Sequence, residues 1–442
     1  MLKSCLHTTK RTITLVCVCF LFAFASQAQD KLTVDEAIKL ALEKNYSVLI
    51  VKGNQEIAKA QNNLGNAGMS PTVTALANLN LATLNSHQVF NTGVVQDRTG
   101  AQTNATGASI NAAWNVFDGF KMFAIKKRLE LNEGLSAIQL KQQMENTVYD
   151  VIVTYFNIVK TKELLKAAKQ NLEIYQERRK IAELKLEIGS DSKVDVLLSR
   201  SDENKAKSEI IQLELELLNA KVQLNTLIAR PADTDYQTTD SISVNYNPNL
   251  DDLKKNVTQS NSSVLISKQN ELIFGQTIRE ARSANIPLIQ VNGAYVFTRN
   301  QSQAGIVFLN RQNGLNGGIS ASWLIFNGNK NNRLVKERSI QALNQRYFTE
   351  QTQLQIDGLV YVSYRSYLLN QQIVSMERQN LADSKEVQTI SLERYKVGKA
   401  NLLETIETQK NLEDAQVRYI NALYAIKVAE AELLRVNGSL VK

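Results

Sequence analysis

Beyond residue 28 the chain has no cysteine, because Cys5, Cys17 and Cys19 all precede that point. The rest of the chain can have neither a disulfide framework nor a thiol for catalysis or metal ligation. Of two histidines only His87 lies beyond residue 28. A histidine-cluster metal site is therefore excluded, and a Ser/His/Asp triad would depend on that single imidazole. No Gly-rich phosphate loop has the spacing that nucleotide sites need, so no cofactor is expected. No apolar run after residue 28 reaches the roughly 18 residues of a membrane helix. If the chain enters a membrane it must do so with β-strands closed into a barrel, which implies a bacterial outer membrane.

The first residues carry Lys3, Lys10 and Arg11, then an apolar run over 13–24, then Ser26-Gln27-Ala28. This order predicts a secretory signal peptide over 1–28, cleaved after Ala28. The alternative is a lipoprotein anchor at Cys17 or Cys19, but neither follows the small residue such a cleavage site requires. Losing the three basic residues takes the formal net charge from +8 to +5. That charge is spread over long mixed-charge segments with no basic patch, so nucleic acid is not an expected partner.

The chain repeats itself. Ser47-Val48-Leu49-Ile50 recurs as Ser263-Val264-Leu265-Ile266, and Pro71 as Pro287, at an offset of 216. Trp114 recurs as Trp323, Gly189 as Gly398 and Asp195 as Glu404, at an offset of 209. One change of offset, by seven, predicts two homologous halves, the first with a longer loop between Pro71 and Trp114. The expected division is 29–230 and 249–442, joined by a polar linker over 231–248 that Pro231 and Pro248 bracket.

Each half is predicted to run helix, two strands, very long helix, return helix. Thr33 and Glu36 have capping-box spacing ahead of a helical apolar pattern. After Pro71, Val73, Ala75, Ala77, Leu79 and Leu81 alternate largely with polar residues, the mark of a strand with one apolar face. The same alternation runs through Ile110 to Val116, Ile289 to Phe297 and Ile319 to Ile325. No charge occurs between Lys59 and Asp97 or between Arg311 and Lys330. Strands of about ten residues have the length that crosses a bilayer when tilted. On alternation alone, a small soluble hairpin layer stays open; secretion and the missing charge favour the membrane.

The stretches 120–188 and 329–397 contain no proline, and glycine only at Gly134 and Gly358. Each predicts a helix of roughly 100 Å, far longer than an ordinary globular helix, and therefore coiled-coil packing. The shorter return segments are expected to be completed end to end by the helices near 33–66 and 249–285. Four strands per chain cannot close a barrel. Two chains would give eight strands with a filled interior, and three would give twelve with space for a channel.

In the leading LTVDEAIKLALEKN, the twin strand-to-helix elements NVFDG and LIFNG, and the motif Tyr395-x-x-Gly398 followed by Leu402-Leu403-Glu404, the chain resembles the TolC-like outer-membrane efflux family. The resemblance covers essentially everything after residue 28, in the family's order. It implies a mainly α fold with membrane β: antiparallel coiled-coil helices forming an α-barrel, and four strands per chain contributing to a twelve-stranded barrel of a homotrimer. It implies a non-enzymatic channel in outer-membrane lipid, its helices in the periplasm, fed by an inner-membrane transporter through a periplasmic adaptor. Gly189 and Gly398 would be the helix-to-helix turns at the periplasmic tip. Glu404 and Glu407, with Asp195 as the first-half counterpart of Glu404, would stand at the constricted entrance.

Glu404 and Glu407 share a helix face. In a trimer they make two rings of carboxylates, a cation-attracting constriction; alternatively they only complement the helix dipole. Tyr395 either hydrogen-bonds to an acid such as Asp195 as part of a gate, or packs in the coiled coil. Relatives often carry an arginine two residues after the tip glycine, where this chain has Ala400, so an arginine lock of that form is not expected. A structural or adhesive coiled-coil protein of the envelope is the alternative from a different class, but it would need neither the charge-free strands nor their duplication.

Overall fold

The computed structural model describes residues 30–190, 192–238, 241–244 and 246–441. The signal-peptide expectation for 1–28, with the three cysteines and His7, lies outside the described residues. Chain order is β1 (Asp30–Leu32), α1 (Val34–Lys44), α2 (Tyr46–Gln61), β2 (Thr72–Val89), β3 (Val95–Phe117), α3 (Lys121–Glu187), α4 (Lys193–Leu227) and β4 (Tyr236–Thr238). It continues with α5 (Leu250–Ser260), α6 (Ser262–Ser283), β5 (Leu288–Ser302), β6 (Leu309–Ser322), α7 (Lys330–Lys396) and α8 (Leu402–Val436). No helix among the described residues is long and apolar enough to cross a membrane.

The repeat is carried by local chemistry. α3 and α7 each have 67 residues, and α4 and α8 each have 35. Asn45 and Asn261, 216 apart, each cap a helix by accepting bonds from the amides two and three residues on. Asn45 also donates to the carbonyl of Leu227 at 2.9 Å, so one side chain starts α2 and closes the last turn of α4. The indole of Trp114 donates to Met69 O, and that of Trp323 to Asn285 O, at 2.8 and 3.1 Å. The expected capping box of Thr33 and Glu36 is formed.

Contacts divide the chain into two compact units. The first comprises the described parts of 1–49, 144–254 and 359–442. Its core gathers Ala37 and Ala41 of α1, Val151, Tyr155 and Ile158 of α3, Leu224 of α4, and Tyr236 of the linker. There β1 and β4 pair in parallel, and the Tyr155 hydroxyl donates to Leu32 O at 2.8 Å. A linker predicted to be merely polar therefore contributes a strand. Three residues are too few to leave a periodic signal.

The second unit, 50–143 and 255–358, holds one antiparallel sheet in the order β2-β3-β5-β6. Residues paired across antiparallel strands share a face. Ala75, Ile110, Tyr295 and Leu315 form one continuous row across all four strands. The opposite face presents Asn78, Gly107, Thr298 and Gln312 in the same way. Large apolar side chains on the first face, Leu79, Ile110 and Ile319 among them, are exposed. The strands, of 18, 23, 15 and 14 residues, exceed the ten expected. The first half's extra length is a continuation of the β2–β3 ladder past the end of β5, not a loop, and it carries the facing pair His87 and Asp97. In the first half charge returns only in this extension; in the second, Arg299 of β5 and Arg311 of β6 face each other near the same end of the sheet.

At the strand-to-helix corners two successive residues take positive φ: Gly119 and Phe120 at 69° and 68°, Gly328 and Asn329 at 66° and 59°. A Cβ on Gly119 would stand 2.7 Å from Ser283 O, whereas one on Gly328 meets nothing within 4 Å. Gly328→Ala should therefore cost only the left-handed backbone term of about 1–2 kcal/mol. Gly119→Ala should cost more and loosen the end of α6. Thermal unfolding of the two variants, followed by circular dichroism, compares them; equal losses would show that the contact is not limiting.

The candidate channel entrance

Both hairpin tips belong to the first unit and are built alike. α3 ends with Ser190 N donating to Lys185 O and Gly189 N to Leu186 O; α7 ends with Lys399 N donating to Arg394 O and Gly398 N to Tyr395 O. These paired bonds need a left-handed residue, and Gly189 and Gly398 supply it at φ 75° and 73°. The chain then turns directly into the capped helices α4 and α8.

The caps differ. Ser192 forms a capping box with Asp195, whose carboxylate accepts from the Ser192 amide at 3.1 Å and from its hydroxyl at 2.9 Å. In the second tip the cap is Asn401, which accepts from Glu404 N at 2.8 Å. The Glu404 carboxylate is instead paired with Arg394, whose Nη1 lies 2.9 Å away while Nη2 donates to Lys399 O at 3.2 Å. Glu407 is exposed one turn further on. The structure thus sets Glu404 and Glu407 on one helix face, with one carboxylate neutralised within its own hairpin and the other open to solvent.

Tyr395 is 1% exposed, and the Lys185 ammonium lies 3.9 Å from its ring centroid. Lys396 bonds to Glu177 of α3 at 2.7 Å and to Glu393 at 2.8 Å. Glu177, then Glu393, raises the Lys396 pKa above the usual lysine value, so it stays charged. Sequence reasoning missed Arg394, Lys396 and Lys185. The spacing of Arg394 and Glu404 across a turn is the one signal that could have revealed that pair.

Further along these helices lies a buried polar layer. Arg178 of α3 is 1% exposed, bonds to Asp202 of α4 at 2.5 Å and lies over the Tyr175 ring. Glu413 of α8 faces a cavity of about 170 Å3 that it shares with Glu209, Asn171 and Gln416. Burial raises the Glu413 pKa, against hydrogen bonds from Tyr175 and Gln409 that lower it. Burial likewise raises that of Tyr175. No three His, Cys, Asp or Glu side chains among the described residues group to hold a metal.

Four apolar-faced strands, tight corners and paired long helices ending in glycine turns define an outer-membrane channel subunit with a helical extension. The chain matches the model of the outer membrane efflux protein family over 37–230 and 255–439, and it belongs to that family. It is similar to outer membrane protein TolC of Escherichia coli (strain K12), 19% identical over 360 residues that cover 78% of this chain and 72% of that one. Outer membrane efflux protein BepC of Brucella suis biovar 1 (strain 1330) is 17% identical over 339 residues, 76% and 72% of the two chains. The crystal structure of the Campylobacter jejuni CmeC outer membrane channel superposes with a TM-score of 0.77 at 17% identity, over 92% of this chain and 85% of that one. The protein is thus an outer-membrane protein of channel type, not of an enzyme class, with its helical part on the periplasmic side.

A raised carboxyl pKa means the fold holds the protonated form better. The stability Glu413 contributes is therefore present below the ordinary glutamate range and lost as pH rises through its raised value. Glu413→Gln should unfold at a higher temperature than the parent at neutral pH, and the advantage should vanish near about pH 4. A constant difference across that range would mean that burial of charge is not the cause.

Proposed function

We propose that the protein is the outer-membrane exit duct of a tripartite efflux or type I secretion assembly. It conducts substrates passively to the exterior from a periplasmic adaptor and an inner-membrane transporter. The sheet carries this reading: one face apolar across four strands, the other polar, and the outer edges of β2 and β6 unpaired. In lipid such edges must find partners. Pairing β6 of one protomer with β2 of the next satisfies both edges, and three protomers give a twelve-stranded barrel with its polar face inward. The halves 29–230 and 249–442, joined by 231–248, then each supply one strand pair and one helical hairpin to the wall.

At the periplasmic tip Gly189 and Gly398 turn the hairpins, and Glu404 and Glu407 form two carboxylate rings at the entrance, with Asp195 at the first tip and Tyr395 behind the second. Arg394 offsets the Glu404 ring, leaving Glu407 as the main source of cation preference. Energy comes from the transporter, since the chain offers no phosphate-binding loop.

The detergent-solubilised protein should have the mass of a trimer, form conducting pores in planar bilayers and turn over no nucleotide. A monomeric mass would remove the assembly on which the duct depends. Arg394→Gln should increase cation selectivity in asymmetric salt, and Glu404→Gln with Glu407→Gln should reduce it and relieve block by multivalent cations from the periplasmic side. If the double substitution leaves reversal potential and block unchanged, these acids serve only the helix dipole.

A further inference from the structure

The membrane strands are almost free of charge, but the segments that adjoin their helical end are crowded with it. Over 118–128, 276–286 and 327–338, ten lysines and arginines stand against three acids. Both long helices begin with lysine, Lys121 and Lys330, and neither has an acid in its first turn. A cation at the positive end of a helix is unfavourable by itself and becomes favourable beside an external anion.

One cavity in this collar gathers cations and no acid. It measures about 260 Å3 and is bounded by Phe120, Phe123 and Lys127 on one side and by Arg279 and Arg282 of α6 on the other. Among the described residues no carboxylate pairs with Arg279 or Arg282; Arg279 has a 3.4 Å bond to Gln276. Glu130 is shared between Lys126 and Lys127. The acids of the first two segments are engaged elsewhere, Asp118 on Met122 N at 2.9 Å and Glu280 on Arg128 at 2.5 Å.

The aromatic wall is held at a cost. Phe120 has φ 68°, a conformation costly for a bulky side chain, yet it is 61% exposed and gains little from burial. Gly119, pressed against Ser283 and Ile286, fixes the corner in that shape. A cationic cleft beside a presented phenylalanine pair, just past the end of a strand that carries no charge beyond Arg98, fits an amphiphile with an anionic head.

We propose that this corner binds the phosphate headgroup of an anionic phospholipid in the periplasmic leaflet. Arg279, Arg282 and Lys127 take the phosphate oxygens, and Phe120 and Phe123 lie against the first carbons of the acyl chains. The proposal rests on the reading that the four strands cross the outer membrane. It is tested on the full-length, delipidated trimer exposed to vesicles of phosphatidylcholine alone or mixed with phosphatidylglycerol, with retained lipid counted by native mass spectrometry.

The parent should retain phosphatidylglycerol over phosphatidylcholine. Arg279→Gln with Arg282→Gln should lower that retention on the order of tenfold, and Arg279→Lys with Arg282→Lys should largely restore it. Equal retention by the Gln variant, or displacement of the lipid by inorganic phosphate at equal concentration, overturns the proposal; the second outcome would make the cleft a site for free phosphate. Conductance is recorded on the same preparations. A conducting trimer without lipid preference overturns the lipid site and leaves the pore standing. Selective retention by a trimer that does not conduct supports the site and removes the pore.

Discussion

Every backbone N–H and C=O placed in lipid must be satisfied by protein. The four-stranded sheet meets that demand internally along three seams and leaves it unmet along the outer edges of β2 and β6. An open apolar-faced edge cannot persist in hydrocarbon, and in water it would template aggregation. Assembly is therefore a condition of the sheet existing at all. The polar row through Asn78, Gly107, Thr298 and Gln312 faces a lumen only when the edges have closed on other copies.

Features that were periodic, duplicated or punctuated were legible in the sequence. Strand faces followed from period two, and helix lengths from the absence of proline and the placement of Gly189 and Gly398. The paired offsets of 216 and 209 reappear in the structure as the Asn45 and Asn261 caps, the Trp114 and Trp323 indole bonds and the equal helix lengths. The β1–β4 pairing was not legible, because three-residue strands have no period. The true strand lengths were not legible either, since a ladder can run past the bilayer wherever its backbone finds partners. Nor was the Arg394–Glu404 bridge, which depends on how a turn folds back and not on spacing along one helix.

Duplicated architecture leaves room for unlike corners. Phe120 and Asn329 occupy equivalent left-handed positions. Asparagine tolerates that conformation through local hydrogen bonding, whereas phenylalanine does not. The first corner pins its glycine against α6 and presents an aromatic; the second has space around Gly328 and presents an amide. Equal backbone geometry thus carries different surface chemistry, and the strain is located where the cationic cleft is.

The tips show how small such a difference can be. Asp195 and Glu404 occupy the same place in their repeats, at the third position of a capped helix. Behind Ser192, the short Asp195 side chain folds back on the cap and its charge is used locally to start α4. Behind Asn401, the cap is completed by the asparagine side chain alone, and Glu404 is longer by one methylene. Its carboxylate is released from capping and reaches across the turn to Arg394. The two hairpin turns are therefore held by different bonds, one within a single helix start and the other between the end of α7 and the start of α8. Only the second makes the position of a carboxylate depend on the geometry of the whole turn, so a change in how the second hairpin bends moves charge at its tip while the first hairpin's acid stays with its own helix.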